Sequence, residues 1–187
     1  MRKGPRTLLG VAWLAGLLLA SPGCIVVAIQ HFYDETALTF DERLIGAWAD
    51  TDDHVTVTVE RGEWRSYRIT YDHPTEKGVL TGFLFKSNGQ LYLDLMPIRG
   101  VDQGSFTVPA HALVRIGVGA AVTVSPLRFA WFDAQLAGHA LPALLGAARG
   151  ERSQLVLGAT SAALGKWLAA RAAADPAFGP DATFKKQ

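Results

Sequence analysis

Four polar side chains lie two or four residues apart in two stretches of the sequence. Together they can form a binding or catalytic site. Tyr92 and Asp94 alternate with leucines, and His111 and Arg115 alternate with valine and isoleucine. Since side chains two residues apart share one face of a strand, both pairs project away from the aliphatic residues. If the two strands are neighbours, the set can hold the polar head of a ligand or act as an acid–base pair. Alternatively, the four residues are ordinary solvated or cross-strand ion pairs that face water.

The remaining candidates for catalysis or metal binding are isolated in the sequence. The five histidines, His31, His54, His73, His111 and His139, include no pair four residues apart, the spacing that puts two metal ligands on one helical face. No serine lies in a Gly-x-Ser-x-Gly motif, and no glycine run ends in the Gly-Lys-Ser/Thr of a phosphate-binding loop. We therefore predict no enzyme activity, no metal site and no cofactor.

The charge balance argues against a nucleic-acid partner. The chain has 18 lysines and arginines against 17 aspartates and glutamates. Arg2, Lys3 and Arg6 lie in an N-terminal segment that we expect to be removed, which leaves a net charge of −2. A phosphate backbone requires a concentrated basic surface, which this composition does not supply. The single cysteine, Cys24, excludes an internal disulfide.

The N-terminus has the pattern of an export signal. A basic start is followed by the apolar run Leu8–Ala20, whose thirteen residues are too few to cross about 30 Å of hydrocarbon as a helix. The next four residues, Ser21-Pro22-Gly23-Cys24, resemble the lipobox of bacterial lipoproteins. This resemblance implies a signal peptide over residues 1–23 and an acylated Cys24 that anchors the protein to a membrane.

The residue after the cysteine, Ile25, is not aspartate, and by the same resemblance this implies the outer membrane, with the protein facing the periplasm. Residues 24–41 are then the lipidated N-terminus and a tether. Two alternatives stay open, since Leu8–Ile29 can be an uncleaved membrane anchor, or the leader can be an ordinary secretory signal with a free cysteine. All three interpretations place the domain outside the cytoplasm.

Residues 42–187 are predicted to form one mainly β domain. Alternation of aliphatic and polar residues marks strands, as in Val55–Glu60, and Asn88-Gly89 is the strongest signal for a tight hairpin turn. Runs of this kind predict about eight antiparallel strands, which favours a closed barrel because an open sheet of that length leaves edges exposed. We expect a loop over Pro97–Pro109, a helical segment over Trp131–Ala148, a last strand at Gln154–Gly158 and a C-terminal helix from Thr160 to Ala174.

Short motifs in this domain resemble lipocalin-like proteins. Leu44-Ile45-Gly46-Ala47-Trp48 before a meander is similar to the opening of lipocalin-like domains, in which the tryptophan closes one end of the barrel. Tyr92–Pro97, Val108–Arg115 and Leu155–Thr160 look like segments of a group of uncharacterised bacterial lipocalin-like lipoproteins. The resemblance implies a lipocalin-like β-barrel with Trp48 as its barrel-closing residue.

Two functions of different classes follow from this interpretation. One is the binding of a small apolar or amphipathic ligand inside the barrel, with Asp94, His111 and Arg115 as a polar anchor. The other is a structural or assembly role in the cell envelope, with a filled barrel and a protein partner. The aromatic residues Trp64, Tyr67, Tyr71, Phe83, Phe85 and Phe129 either line a pocket or fill the core.

Overall fold

The computed structural model describes residues 25–50, 54–74, 76–98, 110–141, 147–149 and 154–187. Within these residues the strands are β1 Val26–Ala28, β2 Gly46–Asp50, β3 Val55–Arg61, β4 Ser66–His73, β5 Glu76–Ser87, β6 Gln90–Pro97, β7 Ala112–Val118, β8 Ala121–Pro126, β9 Ala147–Arg149, β10 Leu155–Leu157 and β11 Ala182–Lys186. The helices in the same residues are α1 Phe129–Ala137 and α2 Ser161–Ala169.

Eight of these strands close into an antiparallel barrel. Strands β2 to β8 pair in chain order, and β11 closes the ring by pairing with β8 on one side and β2 on the other. Asn88 and Gly89 join β5 to β6 with φ values of 45° and 76°, the left-handed conformation that this hairpin turn requires. The predicted mainly β fold with a closed eight-stranded barrel is confirmed.

Three predicted elements differ from the structure near the C-terminus. The strand expected at Gln154–Gly158 is β10, which pairs with β1 and β9 in a separate sheet outside the barrel. The helical segment expected over Trp131–Ala148 ends at Ala137, and its last residues lie in β9. Helix α2 ends at Ala169 and is followed by β11, so the barrel is closed by a strand that the pattern did not predict. Short and alanine-rich runs carry little periodicity, so tertiary pairing decides their structure.

Helix α2 begins where the sequence predicts. The Thr160 hydroxyl accepts the Ala163 N–H at 3.3 Å and caps the first turn. Leu164, Trp167 and Leu168 then recur on one face of the helix, and all three are buried. This face fastens the helix onto the outside of the barrel.

The segment that precedes β2 is packed against the barrel, in contrast to the tether expected over residues 24–41. Strand β1 pairs in parallel with β10, and Ala28 forms an antiparallel bridge with His111. Val26, Phe32 and Leu38 are buried. Polar residues separate these apolar side chains in the sequence, which gives the segment the mixed polarity of a linker.

The barrel has one apolar core inside and a second one outside. The inner core consists of alternate strand residues, including Tyr67, Leu84, Leu93 and Val114. The outer core lies between the opposite face of β5–β7 and a layer made of α1, α2 and the small sheet. It contains Phe85, Tyr92, Leu113, Phe132, Leu164 and Trp167, among others. The outward face of β6 and β7, which carries the predicted polar cluster, is therefore covered by protein.

Candidate functional site

The four predicted site residues, Tyr92, Asp94, His111 and Arg115, lie on the same outer face of two adjacent strands. Strands β6 and β7 pair with Tyr92 opposite Arg115, and His111 immediately precedes β7. Asp94 is fully buried, and the His111 side chain is only 12% exposed. This face is therefore not solvated, and its residues make two separate sets of contacts.

Asp94 uses one carboxylate oxygen to contact His111 and the other to hold the N-terminal segment. Oδ1 lies 2.6 Å from Nδ1 of His111, and Oδ2 accepts the backbone N–H of Phe32 at 3.0 Å. The backbone of His111 exchanges two hydrogen bonds of 2.8 Å with Ala28. A buried carboxylate needs such hydrogen-bond partners, because water is excluded from it. The pair therefore ties the segment around residues 28–32 to the barrel.

Two further residues of that segment, His31 and Tyr33, cover the pair. The His31 ring stacks on Tyr33 with centroids 4.4 Å apart and meets the His111 ring at 6.2 Å. Burial, followed by repulsion from Asp94, raises the pKa of Tyr33 to about 12. The sequence offers no signal for this contact, because residues 31–33 belong to no periodic run and reach β6 only through the path of the chain.

Arg115 fastens the C-terminal segment to the barrel. Its guanidinium donates to the Ala173 carbonyl and, at 3.1 Å, to Oγ of Ser125. It also lies 3.5 Å from Oδ1 of Asp181 and 5.1 Å from the Phe178 ring centroid. The guanidinium is contacted on several sides. Arg115 therefore links β7 and β8 to the residues that follow α2.

Tyr92 packs in the outer core between two aromatic rings, with centroids 5.6 Å from Phe85 and 5.7 Å from Phe178. Its buried hydroxyl has no hydrogen-bond partner among the described residues, and burial raises its pKa. Like Asp94 and Arg115, it points away from the barrel interior. Successive residues of a strand point to opposite faces, so these residues lie outside the barrel because the leucines lie inside. They therefore cannot be the polar anchor of a ligand inside the barrel.

Several aliphatic residues of the barrel interior are only partly buried. Val57, Val59, Leu80, Leu95 and Val124 face inward and pack against the inner core, yet each retains accessible surface. An eight-stranded barrel is just wide enough to be filled by side chains or to hold one small ligand.

One end of the barrel, which we call the closed end, is blocked by the segment before β2. Phe40 stacks on Tyr67 at 4.5 Å, and the Tyr67 hydroxyl accepts the Asp41 N–H at 2.7 Å. Trp48 is 5% exposed, and its indole N–H donates to the Leu44 carbonyl at 2.8 Å. Trp48 thus joins the inner core to the segment before β2, and its role as the barrel-closing residue stays a prediction.

The opposite end, which we call the mouth, carries a polar rim. Asp50 at the end of β2, His73 at the end of β4 and Glu76 at the start of β5 share the inward face, by the register that pairs His73 with Glu76. Asp50 and His73 are 8% and 7% exposed. The sequence contained a signal for this rim, because Asp50 follows Trp48 at the strand spacing of two, but only the pairing of β2 to β5 brings the three side chains to one end.

Tyr71 completes the rim from the inner face of β4. Its hydroxyl donates to Oε1 of Glu76 at 2.7 Å. Burial and this hydrogen bond raise the pKa of Tyr71 to about 12, so the phenol remains a donor. The ring crosses Gly78 on the paired strand, where a Cβ would lie 2.6 Å from the ring. Glycine at 78 therefore allows Tyr71 to lie across β5 and hold the Glu76 carboxylate.

The predicted aromatic set does not come together in the barrel. Tyr67 and Tyr71 face inward, while Phe83, Phe85 and Phe129 belong to the outer core. Trp64 is 64% exposed at the β3–β4 turn, with a positive φ of 51°. Of this set, only Tyr67 and Tyr71 therefore contribute to the interior, together with aliphatic side chains.

The described residues contain no group of three or more histidine, cysteine, aspartate or glutamate side chains that could hold a metal ion. In this same part of the chain, no helix is long and apolar enough to cross a membrane. No family model matches the sequence, and comparisons with curated proteins and with solved structures gave no match either.

Proposed function

We propose that this protein is an exported lipoprotein that holds one small amphipathic molecule inside a lipocalin-like barrel. The observation that carries this proposal is the incomplete burial of inward aliphatic residues such as Val57, Leu80 and Leu95. Transfer of an apolar chain from water onto such a lining contributes about 25 cal/mol for each Å² buried. The ligand's apolar part lies among these side chains.

The polar rim supports an orientation for the ligand. Ligand sites combine an apolar lining with a few polar groups, and Asp50, His73 and Glu76 bring polar groups to the mouth. Asp50, His73 and Glu76 are on adjacent parts of one rim. The ligand therefore enters tail first, with its head at the mouth.

The anchoring part of the proposal is supported by the lipobox resemblance at Cys24, which lies outside the described residues. Strand β1 begins at Val26, only two residues later, and pairs with β10. An acylated Cys24 would hold the barrel to the periplasmic face of a membrane, and Ile25 supports the outer one. Lipoprotein processing supplies the several acyl chains that stable anchoring requires.

The ligand proposal is tested with N-phenyl-1-naphthylamine, an uncharged probe that fluoresces in apolar surroundings. The folded domain should enhance its fluorescence saturably. Val57→Phe, which extends a larger ring into the interior, should weaken binding at least about tenfold, because overpacking removes the space. The matched control is Thr58→Phe, an exposed, outward neighbour on the same strand, which should bind as the wild type does.

Two results would overturn the proposal. One is the absence of saturable enhancement by the folded wild type, and the other is equal weakening by both variants. Either result would favour the alternative of an envelope assembly protein with a filled barrel. Far-UV circular dichroism and a cooperative thermal transition establish that each variant is folded.

A further inference from the structure

We infer that His31 and His111 together bind one divalent transition-metal ion, such as Zn²⁺, on the outside of the barrel. The two rings meet where the N-terminal segment passes the start of β7, with their centroids 6.2 Å apart. The site is separate from the barrel interior, so this inference does not depend on the proposed ligand. Imidazole nitrogen is a ligand that Zn²⁺, Cu²⁺ and Ni²⁺ prefer in proteins.

Each of the two rings has its Nδ1 atom engaged by an acceptor. Nδ1 of His111 lies 2.6 Å from Oδ1 of Asp94, and Nδ1 of His31 lies 2.8 Å from the carbonyl oxygen of Tyr33. An ionised carboxylate and a backbone carbonyl can only accept, so each neutral imidazole carries its proton on Nδ1. The lone pair that binds a metal ion is therefore on Nε2 in both rings.

Histidines that bind metal ions have this same arrangement. Such a histidine almost always donates its other ring N–H to a carboxylate or a backbone carbonyl, which fixes the ring and raises the basicity of the ligand. His111 has the first kind of partner, and His31 has the second. Neither Nε2 atom has a hydrogen-bond partner among the described residues. Both lone pairs therefore remain available for an ion.

The distance between the rings suits one shared ion. A bond from Zn²⁺ to a histidine nitrogen is about 2.1 Å long, which places the ion about 3.2 Å from the centroid of the ring. Two rings on one ion therefore have centroids about 5.2 Å apart at the tetrahedral angle and at most about 6.4 Å apart. The observed 6.2 Å falls within this span. The angle of 65° between the ring planes is no obstacle, because each ring can rotate about its metal–nitrogen bond.

An ion can reach the pair from solvent, because His31 is only partly buried and the His111 side chain is 12% exposed. Asp94 does not join as a ligand, since its two oxygens contact His111 and the Phe32 N–H. Two protein nitrogens are fewer than the three or four ligands of catalytic and structural zinc sites, so water or an external ligand completes the coordination. No sequence spacing indicates this pair, because the two histidines meet only through the path of the N-terminal segment.

Zinc binding is measured by isothermal titration calorimetry on untagged protein that carries Cys24→Ala, which removes the only thiol of the chain. We expect saturable binding of one Zn²⁺ per chain and no binding of Mg²⁺, which prefers oxygen ligands. Zn²⁺ at about 100 times its Kd should raise the Tm by roughly 5 °C or more, because the ion binds only where the N-terminal segment lies on the barrel.

Two variants each remove one Nε2 atom. His31→Phe keeps a ring that can stack on Tyr33, and His111→Asn keeps an N–H that can donate to Asp94. Each should weaken Zn²⁺ binding at least about tenfold, since one of two protein ligands is lost. The matched control is His54→Asn, which should bind as the parent does. His54 is an exposed histidine with a φ of 56°, a conformation that asparagine tolerates.

NMR of the histidine ¹⁵N nuclei provides a second measurement that a purely structural role would not affect. In metal-free buffer both rings should show the tautomer with the proton on Nδ1, and Zn²⁺ should shift the Nε2 resonances of His31 and His111 alone. Far-UV circular dichroism and a cooperative thermal transition without metal establish that each variant is folded. If His111→Asn does not fold, His31→Phe decides the outcome, because His31 is only partly buried.

Three results would overturn the inference. The first is the absence of saturable one-to-one binding of Zn²⁺ by the folded parent protein. The second is binding by His31→Phe that equals binding by the parent. The third is equal weakening by His31→Phe and His54→Asn, which would assign the binding to scattered surface histidines. None of these results bears on the ligand of the barrel interior.

Discussion

Asp94 and His111 form a buried pair, with Oδ1 and Nδ1 2.6 Å apart, on the outside of the barrel and beneath the N-terminal segment. Removal of one partner leaves the other buried without its contact, which typically costs about 3–5 kcal/mol. We therefore expect Asp94→Ala to lower the free energy of unfolding by about this amount. His111→Ala should also destabilise, and the double variant should cost less than the sum of the two. Urea unfolding of the four proteins measures this, and strict additivity would contradict a direct interaction.

The tryptophans differ in burial, which gives an internal control for packing. Trp167 and Trp48 are 6% and 5% exposed, whereas Trp64 is 64% exposed. Replacement of a buried tryptophan by alanine costs about 3–5 kcal/mol. For a chain of this length, that loss lowers the Tm by roughly 10 °C. We expect this from Trp167→Ala and Trp48→Ala but a change within about 0.5 kcal/mol from Trp64→Ala, as thermal melting would show.

We expect even the small side chain of alanine at position 78 to destabilise the protein. A Cβ at this position would meet the Tyr71 ring at 2.6 Å, so Gly78→Ala must displace the ring or the strand. We expect a loss of about 1–3 kcal/mol in the free energy of unfolding, measured with urea. Gly119→Ala is the control, because its Cβ would find no atom nearer than 3.7 Å. Equal stability of the two variants would show that Tyr71 moves aside freely.

The protein should become less stable in alkaline solution for a specific reason. All four tyrosines, Tyr33, Tyr67, Tyr71 and Tyr92, have a pKa raised above the ordinary value of 10.0, chiefly by burial. Between pH 10 and about 12 the unfolded chain loses phenolic protons that the folded chain keeps. The stability that this difference contributes is therefore complete below pH 10 and is lost as the pH rises through about 12.

Thermal unfolding as a function of pH, followed together with tyrosinate absorption, measures this alkaline loss. Tyr71→Phe removes one of the titrating groups and should make the loss shallower. Tyrosinate absorption that develops near pH 10 in the native protein would contradict the burial of these phenols.

The anchor is tested in cells by labelling with palmitate. The wild type should incorporate label and fractionate with membranes, whereas Cys24→Ala should do neither. Since the chain has one cysteine, no other thiol can take its place. Labelling that persists in Cys24→Ala would contradict lipidation at this residue. A protein that keeps the leader but lacks label would instead indicate an uncleaved signal anchor.

The parts of the fold that the sequence predicted are those with local periodicity. Val55–Glu60 and Leu91–Met96 alternate strictly, and their inward and outward faces follow from that alternation. Thr160 caps α2 by a contact within one turn. Such signals depend on neighbours in the chain, so a single sequence contains them.

The candidate site depends on contacts that no local pattern encodes. Asp94 lies on the predicted face, but what covers it is Phe32, which sits in a segment without periodicity. Whether an outward polar residue faces water or protein is decided by the path of the N-terminal segment and α2. Likewise, Asp50 and Glu76 become one rim only when β2 to β5 have paired. The predicted polar cluster of Asp94, His111 and Arg115 therefore lies on the outer face of β6 and β7 and not in the barrel.

The pairing of Lys186 with Trp48 has a consequence for how the protein folds. Strands β2 and β11 lie far apart in the sequence, but they are neighbours in the barrel. The barrel therefore cannot close until β11 is available to pair. Contacts of such long sequence separation slow folding, because the entropy of loop closure is lost before the contacts form.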